Sequence, residues 1–352
     1  RERTQLRIIL KMFNVWKRVL TRHWIAGLTL LGLCCSSLAC SDDNTPEIGL
    51  YSGRHYNSDK QLYEEFTRLT GIRVKLLESK GTSVIERLRN EGADSPADVL
   101  ILADAARLDR ATDLNLFQPI RSSRLEEAVP AHLRDPDNRW FGLTRRPRVP
   151  MIHRGSLQPQ QVNSYTKLAA PDLKGKVCLR NRRSVYNQSL VAFMIDQIGE
   201  QATGRWIRTL TGNLAQPVFK TDVSMIRAVA RGQCAVALSN TYYLARLQAG
   251  DVGEQDAKLS RNVAVVWPQP SVQVNITGGG VTRHSRRPEQ AARFLEFLAT
   301  SSYQGGYAAA NHEYPLRGFG EDPVLQAWGN FEESPVSAAR LGELNRQASD
   351  LM

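Results

Sequence analysis

Apolar positions along this chain alternate between short unbroken runs and sets spaced like one face of a helix. Ile48-Gly49-Leu50-Tyr51-Ser52 reads as a buried strand. Leu62, Phe66 and Leu69 then recur at helical spacing, with an N-cap region at 57–59 and Gly71 as the stop. A strand is expected over 73–77. Ser83 and Glu86 form a capping-box pair for the helix carrying Ile85 and Leu88, closed by Gly92. Segment 98–103 is almost wholly apolar after Asp98, as in a strand covered on both faces, and a helix follows through Leu108. This alternation predicts a parallel α/β sheet.

Segment 141–152 reads as extended, although Pro147 and Pro150 interrupt it. A second α/β set follows. It comprises strand 176–179, helices 188–198, 200–210 and 222–230, strand 234–238, helix 242–247 and strand 263–267. Segment 272–281 is extended again, and a helix covers 288–299 with Phe294, Leu295, Phe297 and Leu298 on a broad apolar side. Two extended crossovers around a central block predict two α/β lobes that close like a hinge on a ligand. Lobe 1 is expected at 48–143 plus 275–330, lobe 2 at 144–274, and a C-terminal helix at 331–352. Gly278-Gly279-Gly280 lacks the Lys-Ser/Thr of a phosphate loop, so a hinge or a close backbone approach accounts for it.

The N-terminal region changes the charge picture. Lys17, Arg18 and Arg22 precede an uncharged, mostly apolar stretch from Trp24 to Cys35, and Ser37-Leu38-Ala39 supplies small residues for a signal-peptidase cut after Ala39. A signal peptide is therefore expected at 12–39, starting at Met12, with residues 1–11 upstream of it. The stretch is shorter than the roughly 20 residues that span a bilayer. Ser37-Leu38-Ala39-Cys40 also resembles a lipobox, which makes Cys40 a candidate lipid anchor, with soluble export as the alternative. The formal charge is +11 over 352 residues, but without residues 1–39 it is 39 basic against 34 acidic side chains, or +5. That is no nucleic-acid footprint. Arg145-Arg146-Pro147-Arg148 reads as a solvated or hinge-facing segment.

Cys178 and Cys234 each lie in a strand-like run. Export permits a disulfide between them, and two buried thiols are the alternative. No CxxC pair or HxxxH spacing supports zinc. His132, His153, His284 and His312 are scattered and expected at the surface or in loops. Asp98 and Asp104 flank a buried strand without an acid–base partner and are expected as solvated strand ends. No Gly-x-Ser-x-Gly elbow is present, so an enzyme is not expected.

The candidate chemistry lies in tyrosines. Tyr242 and Tyr243 stand side by side after an apolar run, and Tyr56 and Tyr186 occupy two other strand-to-helix corners, with His55 beside Tyr56. Phenolate is a hard oxygen ligand suited to a small, highly charged cation. Neighbours within a helix diverge, so Tyr242 and Tyr243 converge only in a first turn, capped by Asn240 or Thr241 and at the positive end of the helix dipole. Arg246 shares their face, and with Arg54 it is a candidate to offset phenolate charge from outside the ligand set. Four phenolates leave −1 around a trivalent ion and −2 around a divalent one, which favours ferric over ferrous iron. Tyr51, Tyr63, Tyr165, Tyr303, Tyr307 and Tyr314 are expected in the core or at the surface.

Several stretches carry a resemblance to a known family: Tyr51-Ser52-Gly53-Arg54-His55-Tyr56-Asn57-Ser58-Asp59, Ser95-Pro96-Ala97-Asp98-Val99-Leu100, Trp140-Phe141-Gly142-Leu143-Thr144, Tyr186-Asn187-Gln188-Ser189-Leu190-Val191-Ala192, Asn240-Thr241-Tyr242-Tyr243 and Glu313-Tyr314-Pro315. The chain resembles the periplasmic ferric-iron-binding proteins of bacterial ABC transporters, most closely their cyanobacterial branch. The resemblance implies an α/β, type II periplasmic-binding-protein fold. It implies Fe(3+) held by phenolates matching Tyr56, Tyr186, Tyr242 and Tyr243, with His55 among or beside the ligands. It also implies a monomer in the periplasm that delivers iron to an ABC permease in the inner membrane. The chain departs from the family at Arg180-Asn181-Arg182-Arg183, which adds positive charge ahead of Tyr186. The alternatives are capture of an oxyanion or small organic acid, and a carrier that holds iron without transporting it.

Overall fold

The computed structural model describes residues 45–54 and 59–352. The expected signal peptide at 12–39, Cys40, His55 and Tyr56 lie outside the described residues.

Eight strands form a mixed sheet: β1 (Glu47–Ser52), β2 (Arg73–Glu78), β3 (Val99–Ala103), β4 (Phe141–His153), β5 (Val177–Cys178), β6 (Val236–Asn240), β7 (Val263–Val265) and β8 (Val274–Val281). Their order is β2-β1-β3-β8-β4-β6-β5, with β7 also paired to β4. The β1 strand runs parallel to β2 and β3, and β5 parallel to β6, as strand–helix alternation predicts. By contrast, β8 runs antiparallel to both β3 and β4.

The 13-residue β4 organises the sheet. Its first part, from Phe141 to Pro147, pairs with β8; its second part, from Arg148 to Ile152, pairs with β6. All its residues but His153 are buried. Arg145, Arg146 and Arg148 are thus enclosed at 6%, 3% and 1% exposure, which rules out the solvated reading of this basic run.

The helices form where apolar spacing required them. In Lys60–Thr70, Tyr63 and Phe66 face inward, and Gly71 ends the helix at φ 72° with its N–H bonded to the Thr67 carbonyl. Phe66 meets Phe294 of helix Pro288–Ala299 edge-on at 5.0 Å. Its full burial contributes about 1.5–3 kcal/mol. The glycine run on β8 reflects close approach: a Cβ on Gly280 would stand 2.2 Å from the Arg139 carbonyl oxygen and 2.7 Å from the Phe117 ring.

Three local expectations are corrected. The helix expected to start at Ser83 spans Gly81–Glu91, with Lys80 at its N-cap and no side-chain cap. Gly81, at the observed start, packs closely on Gly53, where a Cβ would meet the Gly81 Cα at 2.8 Å. Asp98 and Asp104 are buried, not solvated. Asp98 accepts from the Gly49 N–H at 2.9 Å and the Ser285 hydroxyl at 2.6 Å. Asp104, at φ 93°, accepts from Ser189, from Asn275 and from the Ala106 N–H that it caps, so it joins β3, β8 and helix Val185–Ile198. The C-terminal helix expected over 331–352 is instead two short helices, Ala338–Glu343 and Asn345–Leu351. Pro335 lacks the N–H a helix needs, and Ser337 caps the first of the two by accepting from the Arg340 N–H.

Cys178 and Cys234 form a disulfide with Cα atoms 5.9 Å apart, tying the end of β5 to the approach to β6. It closes a loop of 56 residues that contains Tyr186. Replacing both cysteines by serine is expected to lower the unfolding free energy by about 2–4 kcal/mol in urea titrations. Identical curves for the variant and the oxidised parent would contradict a structural role.

Candidate metal centre

Two helices begin side by side off the second part of the sheet. Helix Thr241–Ala249 follows β6 directly, with Asn240 at the N-cap and Tyr242 and Tyr243 in its first turn. Helix Val185–Ile198 starts three residues before the expected Gln188, so Tyr186 lies inside its first turn as well. First-turn amides have no intrahelical acceptors, and the helix dipole is positive there, so both sites favour negative charge.

One residue braces the two starts. Arg148 of β4 donates from Nη1 to Asp222 Oδ1 at 3.1 Å and to Asn240 Oδ1 at 3.0 Å. From Nη2 it donates to Asn187 Oδ1 at 2.6 Å and to the Leu238 carbonyl at 3.0 Å. Asn240 therefore occupies the expected cap position, but its side chain serves Arg148 and does not cap the helix. Asn187 and Asn240 adjoin the tyrosines in sequence, so the planar guanidinium fixes one helix start against the other. Asp222, fully buried, also pairs with Arg180 and accepts from the Ser239 hydroxyl at 3.1 Å.

The phenol rings converge as a result. Tyr242 and Tyr243 lie with ring centroids 4.2 Å apart, their planes tilted by 35°, and the Tyr186 ring centroid lies 6.4 Å from that of Tyr243. Side chains alternate along a strand, so Arg146 shares a face of β4 with Arg148. Its guanidinium carbon sits 4.6 Å from the Tyr242 ring centroid and 5.2 Å from that of Tyr186, and Arg180 lies 5.5 Å from Tyr186 on another side. Burial alone would raise the Tyr186 pKa. The charges of Arg146 and Arg107 and hydrogen bonds with Tyr242 and Arg146 outweigh it and bring the phenol down to about 8.

Arg146 is in turn held by Glu313, at 3.2 Å. The same carboxylate accepts from Arg54 at 3.0 Å, from Thr277 at 3.2 Å and from Thr144. Arg54 is paired with Asp59 at 3.0 Å and stands 4.0 Å from the Tyr307 ring centroid, so its charge is already met by two buried carboxylates. Burial pushes the Asp59 carboxyl up to about 6 against the pull of Arg54.

The structure thus brings together Tyr186, Tyr242 and Tyr243 of the expected ligands, and places Arg54 in the ion-pair group that reaches Arg146. Arg246 forms a 3.8 Å pair with Asp251 at the far end of its helix. Sequence reasoning missed Arg146, Arg148 and Glu313. The arginines' one signal was a basic run inside an otherwise apolar extended segment, and Glu313 stood in the matched stretch Glu313-Tyr314-Pro315. His312, expected at the surface or in a loop, sits in a turn between Asp322 at 2.5 Å and Asp251 at 3.2 Å. Tyr165, Tyr307 and Tyr314 are core residues, as expected. Among the described residues no three His, Cys, Asp or Glu side chains gather to hold a metal ion.

Two outcomes follow from this geometry. The folded-state pKa of Tyr186 lies below its ordinary 10.0. The unfolded chain therefore binds the extra proton between about pH 8 and pH 10, and the group's stability contribution grows across that window and is lost below it. An ultraviolet titration of ionised phenol should show one tyrosine ionising near pH 8. That step should vanish in Tyr186→Phe and move upward in Arg146→Met; a parent protein with no phenol ionising below pH 9 would contradict it. Separately, Arg148→Met leaves Asp222 with a lost partner and should cost about 3–5 kcal/mol in chemical denaturation. A loss under about 1 kcal/mol would deny it the bracing role.

The chain matches the bacterial extracellular solute-binding protein family over residues 61–327. It is 39% identical to iron uptake protein A1 of Synechocystis, covering 93% of each chain. It is 27% identical to the major ferric iron-binding protein of Neisseria meningitidis serogroup B, covering 88% of this chain and 93% of that one. Among solved structures it superposes on Trichodesmium IdiA (FutA) in complex with iron and citrate ligands, with a TM-score of 0.84 and 39% identity over 87% of this chain and 98% of the other. The architecture is that of a periplasmic binding protein, as these structures have it. This chain therefore belongs to the bacterial extracellular solute-binding protein family.

Proposed function

We propose that this protein captures ferric iron outside the cytoplasm through tyrosine phenolates and hands it to an ABC permease of the inner membrane. The observation that carries the proposal is the meeting of Tyr186, Tyr242 and Tyr243 at two helix N-termini beneath Arg146. Tyr56 is the fourth ligand in this reading, and His55 stands with it in or beside the ligand set. The relatives' roles in iron uptake and ferric iron binding support the same cargo.

The chemistry favours a trivalent ion. A free phenol ionises near pH 10, so each ligand loses a proton to the metal and affinity falls as pH falls. Arg146 and Arg107 already bias the Tyr186 phenol toward phenolate. Charge on four phenolates exceeds that of a ferric ion by one, and the nearby guanidiniums offset the remainder. Arg246, four residues after Tyr242, is the further cation of this scheme, whereas Arg54 is committed to Asp59 and Glu313.

In this reading the chain closes as two lobes, one at 48–143 plus 275–330 and the other at 144–274. Metal loads first on Tyr186, Tyr242 and Tyr243 of the second lobe. Closure then adds Tyr56 and excludes water, and the closed monomer is the form a permease recognises.

Purified protein loaded with ferric iron should show a visible phenolate-to-iron charge-transfer band that reductant or acid abolishes. Tyr186→Phe, Tyr242→Phe and Tyr243→Phe each delete a ligand oxygen and keep the ring. Each should weaken ferric binding by at least about 100-fold in competition with a chelator. A colourless protein that binds small organic acids without metal would replace this reading with anion capture.

A further inference from the structure

A cavity of about 590 Å³ opens between helices Val185–Ile198 and Glu200–Gly212. That volume suits one small organic molecule. Its floor is apolar: Leu190 and Val191 from the first helix, Trp206, Ile207 and Leu210 from the second, and Leu238 from β6. Trp206 donates its indole N–H to the Tyr165 carbonyl at 2.8 Å, which commits the polar edge of the ring to the protein. Val218, at the rim, is 48% exposed, a large apolar side chain left facing solvent.

The charged side chains around this floor are all of one sign, and the terminal residue Met352 also lines it. Arg180, Arg182, Arg183 and Lys220 line the cavity, and no Asp or Glu side chain does. Arg180 is committed to Asp222. Arg182, Arg183 and Lys220 are exposed, and among the described residues none of them makes an ion pair. A dry floor beneath three uncompensated cations fits a ligand with an apolar body and a single anionic head. It disfavours both a neutral oil, which leaves the cations without a partner, and a small hydrophilic anion, which leaves the floor wet.

We propose that this cavity is a binding site for an amphiphilic organic anion, its apolar body seated on Leu190, Val191, Trp206 and Leu210 and its carboxylate or sulfonate head held by Arg182, Arg183 and Lys220. The site is distinct from the phenol cluster. Arg180 stands between them, lining this cavity and lying 5.5 Å from the Tyr186 ring centroid.

The test uses the full chain and 8-anilinonaphthalene-1-sulfonate, an apolar fluorophore with one fixed negative charge. The expected result is a single saturable fluorescent site with Kd on the order of 10 µM. Decanoate should displace the probe, whereas decyltrimethylammonium and citrate should not. The exposed double variant Arg182→Glu/Lys220→Glu should weaken binding roughly tenfold or more while the melting temperature holds. Leu210→Trp, which fills the floor, should abolish it. Tyr243→Phe should leave it unchanged, so this result stands apart from the metal reading. Unsaturable binding, equal displacement by the cationic and anionic amphiphiles, displacement by citrate, or full affinity in the charge-reversed variant would overturn the proposal. So would saturation only at concentrations where the protein dimerises.

Discussion

A guanidinium enclosed in a sheet has to find its counter-charge and acceptors inside the protein, and β4 encloses three of them. Breaking such a pair leaves a buried charge, at a cost of several kcal/mol. The partners are therefore as fixed as the arginines. Arg148 draws Asp222, Asn187 and Asn240 to one point, and this sets two helix starts side by side. Arg146, on the same face, draws in Glu313 and through it Arg54. The phenols of Tyr186 and Tyr242 lie under the remaining face of Arg146. The arrangement of the candidate ligands is thus a consequence of how the charges of one strand are satisfied.

The same constraint explains the acidity of the site. Burial by itself opposes ionisation of a phenol, and an isolated tyrosine at a helix start would stay protonated near neutrality. Fixed cations reverse the balance for Tyr186 before any cargo arrives. A metal that binds there completes a deprotonation the protein has already made easier. Because Arg146 is fixed by Glu313, little reorganisation is needed when the charge appears.

Much of this fold could be read from the chain. The all-apolar run of β3, the stop at Gly71 and the close packing of the β8 glycines follow from local rules, and the structure has each of them. So does the placing of Tyr242 and Tyr243 in a first turn. The arginines were not legible, because a charged residue scores as solvated unless its partner is known, and Glu313 lies far along the chain from Arg146. Asp104 was misplaced for the same reason: its side-chain partners Ser189 and Asn275 are long-range. The Ser83 capping pair failed differently, since the helix starts upstream of a sound local signal, where Gly81 packs closely on Gly53. Sequence also left the two cysteines open, because nothing local says that β5 lies beside β6.

The central claim is that phenols lose their protons to a trivalent cargo. Gallium(III) has the charge and size of ferric iron without its visible absorption, so tyrosinate formation can be counted in the ultraviolet as the metal is added at neutral pH. The account predicts a stoichiometric rise equal to three or four phenolates per gallium ion, reduced by one in Tyr186→Phe, Tyr242→Phe or Tyr243→Phe. Tight gallium binding with no tyrosinate signal would contradict it.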